Sequence, residues 1–405
     1  TATTEIYTLS LHDALPIYAS AAKLATRGRF YSEDDNRSYD VEHYEMNVRI
    51  VPEKREVGGT VTMRVRLLRH DMDTLTLKLA EPLAITSLTA AGMGRLLFLR
   101  VVGQDSLLVS FPSALPINSV VTLSFAYQGV LAPQSLSRES AAVAADAPQD
   151  PANDAVPAEP NWAYSNNAFW YPQAEVNDYA TARIRVSVPQ EYTAVATGTR
   201  IDEGLVGTDR VAAFVADTPA RYLSTIVSRL VPLPRSQTRL ADGRSITVDA
   251  LSNPRQLGNT RTLAARAADM VAFYAGLAGS APYPSFTLLS LESDLPGGHS
   301  PAYFAAINQP SPQSQVTWRH DPIAFDDRFP DVFLANEVAH QWWGQGVGVK
   351  NYHEQWISEG FAQYFAALYA RQAHGEDAFT SMLRQFRRWS LSQSNEGPVD
   401  LGYRL

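Results

Sequence analysis

The sequence predicts a multidomain chain, with an all-β N-terminal domain followed by an α+β domain. Three observations carry this prediction. From Tyr39 to about residue 245 the apolar residues alternate in short runs separated by turn signals. Beyond about residue 245 the apolar period lengthens to that of a helix. At 405 residues the chain is long enough for two or three separately buried cores.

Taken in order, residues 1–17, TATTEIYTLSLHDALPI, look like a conceptual translation of a short-read sequencing adapter and are set aside as non-native. They show no basic segment ahead of an apolar one, so they resemble no targeting signal. The native start is hidden behind them, which leaves both a cytoplasmic and an extracytoplasmic location open. Residues 18–36 are small and polar and are expected to be a disordered lead-in. The β-rich domain is assigned to residues 37–245. In it Tyr44, Met46, Val48 and Ile50 share one face of a strand. A turn within Pro52–Gly59 follows, then Val61, Met63, Val65 and Leu67 repeat the pattern. The runs TLTLKLA, LLFLRVV, SLLVSF, VVTLSFAY, TARIRVSVP and VAAFVAD read as further strands. Residues 131–160, rich in Ala, Pro, Asp and Ser, read as a flexible insertion between strands.

Residues 246–405 form the second domain. Leu263, Ala267, Met270, Val271 and Tyr274 make a helical stripe that stops at glycine. SFTLLSLES reads as a strand, DLPGGHSP as a tight turn and AYFAAIN as the returning strand of a hairpin. Helices dominate from Pro330 onward.

Composition narrows the function. Hydrophobic residues make up 45% and charged residues 19%, as in ordinary soluble globular proteins. A net charge of −8 argues against a nucleic-acid surface or a polybasic membrane patch. No apolar run approaches the roughly 20 residues of a membrane helix. With no cysteine, disulfides, thiolate metal sites and a cysteine nucleophile are excluded. Any metal must therefore sit on His, Asp, Glu or an amide oxygen.

One stretch carries chemistry. FLANEVAHQWWGQ, residues 333–345, nearly fits H-E-x-x-H, with Asn336 in place of the first histidine. Asp331 at its start and Gly344 at its end predict a helix over 331–343, about three and a half turns. Positions 336 and 340 then share a face, and Glu337 lies about 100° around the axis. Two imidazoles at such positions grip zinc while the glutamate takes a proton from its water. A third ligand is needed, and Glu359, in QWISEGFAQYF on a second helix, is the candidate. By residue type alone a hydrogen-bonded core histidine is the commoner outcome for His340.

The flanking letters reverse those odds. NEVAHQWWGQ and KNYHEQWISEGFAQYF resemble the zinc-binding core of the aminopeptidase N family, the gluzincins of peptidase family M-one. That family reads H-E-x-x-H, eighteen residues, then Glu in an EGFA context, and HQWWG stands where HQWFG is usual. YDVEHYEMNVRIVPEKREVGGTVTMRVR and FWYPQAEVNDYATARIRVSVPQEYTAVATG are similar to segments of its N-terminal β-domain, a sandwich or saddle. PRQLGNTRTLAARAADMVAFYAGLAGSAPYPSFTLL is similar to the start of its thermolysin-like catalytic domain. The resemblance implies such a fold, C-terminally truncated at Leu405. It also implies a peptide or protein substrate and one Zn2+ held by His340 and Glu359, with Asn336 at the first-ligand position and Glu337 as general base. Residues 297–300, Gly297, Gly298, His299 and Ser300, stand where the family has its substrate-binding strand, with Ser300 in the place of the amine-binding Glu. Amine recognition is thereby weakened, and both exopeptidase and endopeptidase action stay open. A plain turn is the alternative for these glycines, and a solvated turn residue the alternative for His299.

Glu354 is read either as a hydrogen-bond partner of a ligand histidine or as a helix-start acid. His353 is read as a surface residue, with a substitute-ligand role the alternative. The family's oxyanion-stabilising tyrosine is expected beyond Leu405, although Tyr403 is available. An asparagine amide oxygen is a poor zinc donor beside imidazole, so the site as written is expected to bind zinc weakly. The alternative function is a non-catalytic peptide- or protein-binding descendant of the same fold.

Overall fold

Alternating apolar residues at the start of the chain become its longest strands. The computed structural model describes residues 37–134, 157–174, 178–293, 297–310, 329, 331–349 and 354–392. The adapter segment, the lead-in, most of the insertion, His353 and Tyr403 lie outside the described residues.

The first part runs through β1 (Tyr39–Val51), β2 (Glu56–Leu67), β3 (Met72–Lys78), β4 (Leu83–Ala90), β5 (Gly94–Arg95), β6 (Leu97–Val101), β7 (Ser106–Leu115) and β8 (Val120–Val130). After the insertion come β9 (Asn161–Tyr164), β10 (Gln173–Ala174), β11 (Ala180–Pro189), β12 (Thr193–Ala196), β13 (Thr199–Val206), β14 (Asp209–Ala220) and β15 (Thr225–Ser228). An eight-stranded sheet has the order β13-β14-β11-β1-β2-β8-β4-β5. It is antiparallel except where β1 and β11 run parallel, His43 opposite Thr181 through Arg49 opposite Ser187. A four-stranded sheet, β10-β3-β7-β6, shares its core: Val48, Met63 and Phe125 of the larger sheet are buried with Leu75, Leu77 and Leu107 of the smaller. The predicted faces hold, since Tyr44, Met46, Val48, Ile50, Val61, Met63, Val65 and Leu67 are all buried. Each such side chain contributes about 1.5–3 kcal/mol on burial. Between β1 and β2 the turn is a single 3-10 turn ending at Arg55, with φ +56. A third sheet, β12-β15-β9, has three strands.

The chain continues through β16 (Val231–Pro232), β17 (Ser236–Arg239), β18 (Ser245–Ser252), α1 (Leu257–Ala278), β19 (Ser285–Glu292), β20 (Gly298–His299) and β21 (Phe304–Gln309). It ends in α2 (Val332–Ala339), α3 (Gln355–His374) and α4 (Glu376–Ser392). These strands form a mixed sheet in the order β16-β18-β19-β21-β20, with β17 also on β18. The predicted stripe of α1 is buried at all five positions, and the helix stops at Gly279, φ +82. That stripe packs with Leu288, Ile307, Val338 and Ala366 in one core. The other face of the sheet, through Leu251, Leu289, Leu291, Phe304 and Ala306, packs on Ala163, Val195 and Ile226 of the three-stranded sheet.

Two expectations need correction here. The predicted hairpin of SFTLLSLES and AYFAAIN does not form, because β19 and β21 are parallel neighbours, Thr287 opposite Phe304 through Glu292 opposite Gln309. Both are apolar nearly throughout because the sheet is covered on both faces, and a continuous apolar run carries no sign of strand direction. The hairpin is instead β20–β21, Gly298 opposite Ile307 and His299 opposite Ala306. Its loop turns through Tyr303, φ +76. β20 is therefore the edge strand. The predicted helix over 331–343 is shorter, Val332–Ala339.

Candidate active site

All eight residues of α2 are buried, and the Tyr274 hydroxyl donates to its Ala335 carbonyl at 3.0 Å. Arg266 pairs with Asp331 at its start. His340 keeps an α-type bond, its N–H donating to the Asn336 carbonyl at 3.1 Å. Thereafter the turn tightens, with Gln341 N–H on Val338 and Trp342 N–H on Ala339 at 3.1 and 3.0 Å. Gly344, φ +103, then reverses the chain, and its N–H donates to the Val347 carbonyl at 2.9 Å. The reversal toward α3 is what shortens the helix.

That reversal also sets the histidine. His340 Nδ1 donates to the Trp343 carbonyl at 3.0 Å, and the Ser358 hydroxyl of α3 donates to the same oxygen at 3.1 Å. In the neutral ring Nε2 is then the lone-pair nitrogen. It lies 3.6 Å from Glu359 Oε2. Two ligands about 2.0–2.2 Å from a tetrahedral zinc are roughly 3.3–3.6 Å apart, so this pair spans one edge of such a site. The observed partner of Nδ1 is the Trp343 carbonyl, and Glu354 stands at the N-cap position of α3.

Asn336 is the discordant residue. It is 2% exposed, and neither its amide nitrogen nor its amide oxygen has a hydrogen-bond partner. A buried unsatisfied polar group costs about 1–3 kcal/mol. Among the described residues no three His, Asp or Glu converge to hold a metal ion. The separation of His340 and Glu359 thus fits two corners of a zinc site, and Asn336, one turn earlier in the chain, carries a buried amide.

Glu337 is 6% exposed, and the Ser300 hydroxyl donates to its Oε2. Its carboxyl lies directly against Gly298, where an added Cβ would be 2.6 Å from Glu337 Cδ. Gly298 is therefore required by close approach, not by a turn. The Gly297 carbonyl accepts the Asn308 N–H at 2.9 Å, locking the edge strand to β21. His299 is buried and hydrogen-bonded through Nε2 to the Ser165 hydroxyl at 2.7 Å, so it is no solvated turn residue. Burial, helped by the nearby His340, pushes its pKa down to about 4.

Several residues were not foreseen. Gln341 donates to the carbonyls of Pro301 and Phe304 at 3.0 and 3.1 Å, and Gln345 to that of Ser300 at 2.9 Å. Both brace the β20–β21 loop. Tyr222 and Ser165 enter from the β-rich part. Their bonds span 123 and 134 residues of chain, and no local pattern in the sequence marks them.

Residues 327–397 match the peptidase family M1 domain. The chain is 34% identical over 71 residues to aminopeptidase N of Haemonchus contortus, covering 16% of this chain and 7% of that protein. It is 34% identical over 73 residues to aminopeptidase O of Rattus norvegicus, covering 16% and 9%. The matched segments thus span under a tenth of these relatives. Among solved structures, a mutant M1 zinc metallopeptidase from Deinococcus radiodurans bound to a Tyr-Ser-Ala substrate is similar at TM-score 0.67 and 20% identity, over 87% of this chain and 76% of that one. A two-domain M1 zinc metallopeptidase mutant bound to L-arginine gives 0.65 and 20%, over 88% and 76%. The β-rich part followed by the helical part is therefore the fold of M1 zinc metallopeptidases.

Proposed function

We propose that this chain, with an M1 peptidase segment on an M1 metallopeptidase fold, is a zinc-dependent metallopeptidase of the aminopeptidase type, impaired as written by Asn336. The observation that carries the reading is the 3.6 Å approach of His340 Nε2 and Glu359 Oε2, with Glu337 three residues before His340, the C-cap of its helix. His340 and Glu359 would hold the ion, and Asn336 would add at most a weak neutral oxygen. Zinc held there would supply an acidified water and a Lewis acid for the peptide carbonyl. Glu337 accepts a proton from the attacking water on its carboxylate and returns it to the leaving nitrogen. Ser300 orients that carboxylate, and Gly298 lets it lie against the strand. The free edge of β20 pairs with the peptide main chain. That a tripeptide substrate binds a protein of this fold supports a peptide substrate here.

A second reading, a non-catalytic peptide-binding descendant, is favoured by the unpartnered amide of Asn336. The two separate on hydrolysis of aminoacyl and internally cleaved peptides with added zinc. Zinc-dependent hydrolysis that Glu337→Gln abolishes supports the peptidase. Peptide binding without hydrolysis at any zinc concentration supports the descendant.

A further inference from the structure

The turn that follows α2 is held by the β-rich part. The Tyr179 hydroxyl donates to the Gln345 carbonyl at 2.8 Å, and Arg221 reaches the Gly344 carbonyl at 3.5 Å. Gln345, 5% exposed, donates from Nε2 both to the Tyr222 hydroxyl oxygen at 2.8 Å and to the Ser300 carbonyl at 2.9 Å. One amide nitrogen therefore fixes the phenol beside the residue whose own hydroxyl holds Glu337. The Tyr222 ring lies nearly parallel to that of His299, centroids 6.3 Å apart and planes inclined by 20°. Ring and hydroxyl are thus both located, one by the edge strand and one by the turn.

We infer that Tyr222 is a substrate-facing hydroxyl donor of this site and that Gln345 is its positioning residue, an inference that rests on the peptidase reading. The hydroxyl oxygen accepts from Gln345, so its proton remains to be donated. Among the described residues none takes it, and the residue is only partly buried. The charges that act on the phenol are the Arg221 guanidinium first, then the carboxylates of Glu337 and Glu359. Burial pushes its pKa up to about 12, so the phenol keeps its proton at neutral pH. A protonated donor held beside Ser300, the residue that binds Glu337, is suited to the carbonyl oxygen that turns negative when water adds to a peptide bond. The hydrogen bond strengthens as that charge develops, and no proton need leave the phenol.

The test uses the full chain carrying Asn336→His, loaded with zinc, with and without Tyr222→Phe. The substitution removes one oxygen and leaves the ring. Expected are a kcat lower by about 10²-fold, KM within about threefold, and unchanged zinc content and unfolding temperature. Calorimetry should show a like loss of affinity for a tetrahedral phosphinic peptide and little loss for an unreacted peptide. Gln345→Met should lower kcat in the same direction. Combined with Tyr222→Phe it should cost little more than Tyr222→Phe alone, because both act through one hydroxyl. Unchanged kcat and phosphinic-peptide affinity in Tyr222→Phe overturn the donor role. Additive losses in the double variant overturn the positioning role. An Asn336→His parent that binds no zinc and cleaves no peptide overturns the peptidase reading and this inference with it.

Discussion

The Ser300 hydroxyl donates to the carboxylate of Glu337, joining the residue that follows the edge strand to a fully buried helix. The strand that would carry a peptide and the acid that would act on it are thus one unit. Replacing Ser300 by Ala removes this donor from a buried carboxylate, and we expect a stability loss of about 1–3 kcal/mol. Urea unfolding measures it. A loss below about 0.5 kcal/mol would show that the bond contributes little.

Gly298→Ala tests the close approach itself. An added Cβ would lie 2.6 Å from Glu337 Cδ and 2.7 Å from Oε1, so the carboxyl must move. In the Asn336→His background, kcat/KM for peptide hydrolysis should fall by about 10²-fold while zinc content is kept. Retained kcat/KM would mean that the placement of Glu337 on the strand does not matter.

Gly344 is a second constrained glycine. Its φ is +103, and an added Cβ would be 2.3 Å from the Ser358 hydroxyl that shares the Trp343 carbonyl with His340. Gly344→Ala should cost about 1–3 kcal/mol through backbone strain. It should also weaken zinc binding by about 10–100-fold, since the carbonyl that orients the ring shifts. Thermal unfolding and zinc titration in the Asn336→His background read the two effects separately.

Stability should also depend on His299. Its folded pKa, about 4, lies below the value near 6.5 of an unfolded histidine. Between those values the unfolded chain binds a proton that the folded chain refuses, so stability falls as pH is lowered from about 6.5 to about 4. The full effect is on the order of 3 kcal/mol. His299→Gln should flatten this part of the profile in urea unfolding at stepped pH. An unchanged slope would place the acid sensitivity elsewhere.

The sequence made some of this legible and hid the rest for physical reasons. Alternation in β1 and β2 and the five-residue stripe of α1 are local patterns, and their faces are buried as read. That Glu359, on a second helix, should come near His340 was implied by the resemblance of the flanking letters rather than by the spacing alone, and the two side chains lie 3.6 Å apart. Strand direction was not legible, because β19 and β21 are buried on both faces and their apolar runs suit either orientation. Nor were Tyr222 and Gln345, joined across 123 residues by a side-chain bond. The helix end was misjudged because Gly344 was visible but the tightening of the turn before it was not.

The most direct measurement is the zinc content of the purified chain beside that of Asn336→His, by elemental analysis after dialysis against limiting zinc, with peptide hydrolysis followed in parallel. We expect near-stoichiometric zinc and hydrolysis in the histidine form, and an affinity at least about 10²-fold lower in the asparagine form. Equal zinc content and equal hydrolysis in both would contradict the assignment of residue 336 as the weak corner of the site.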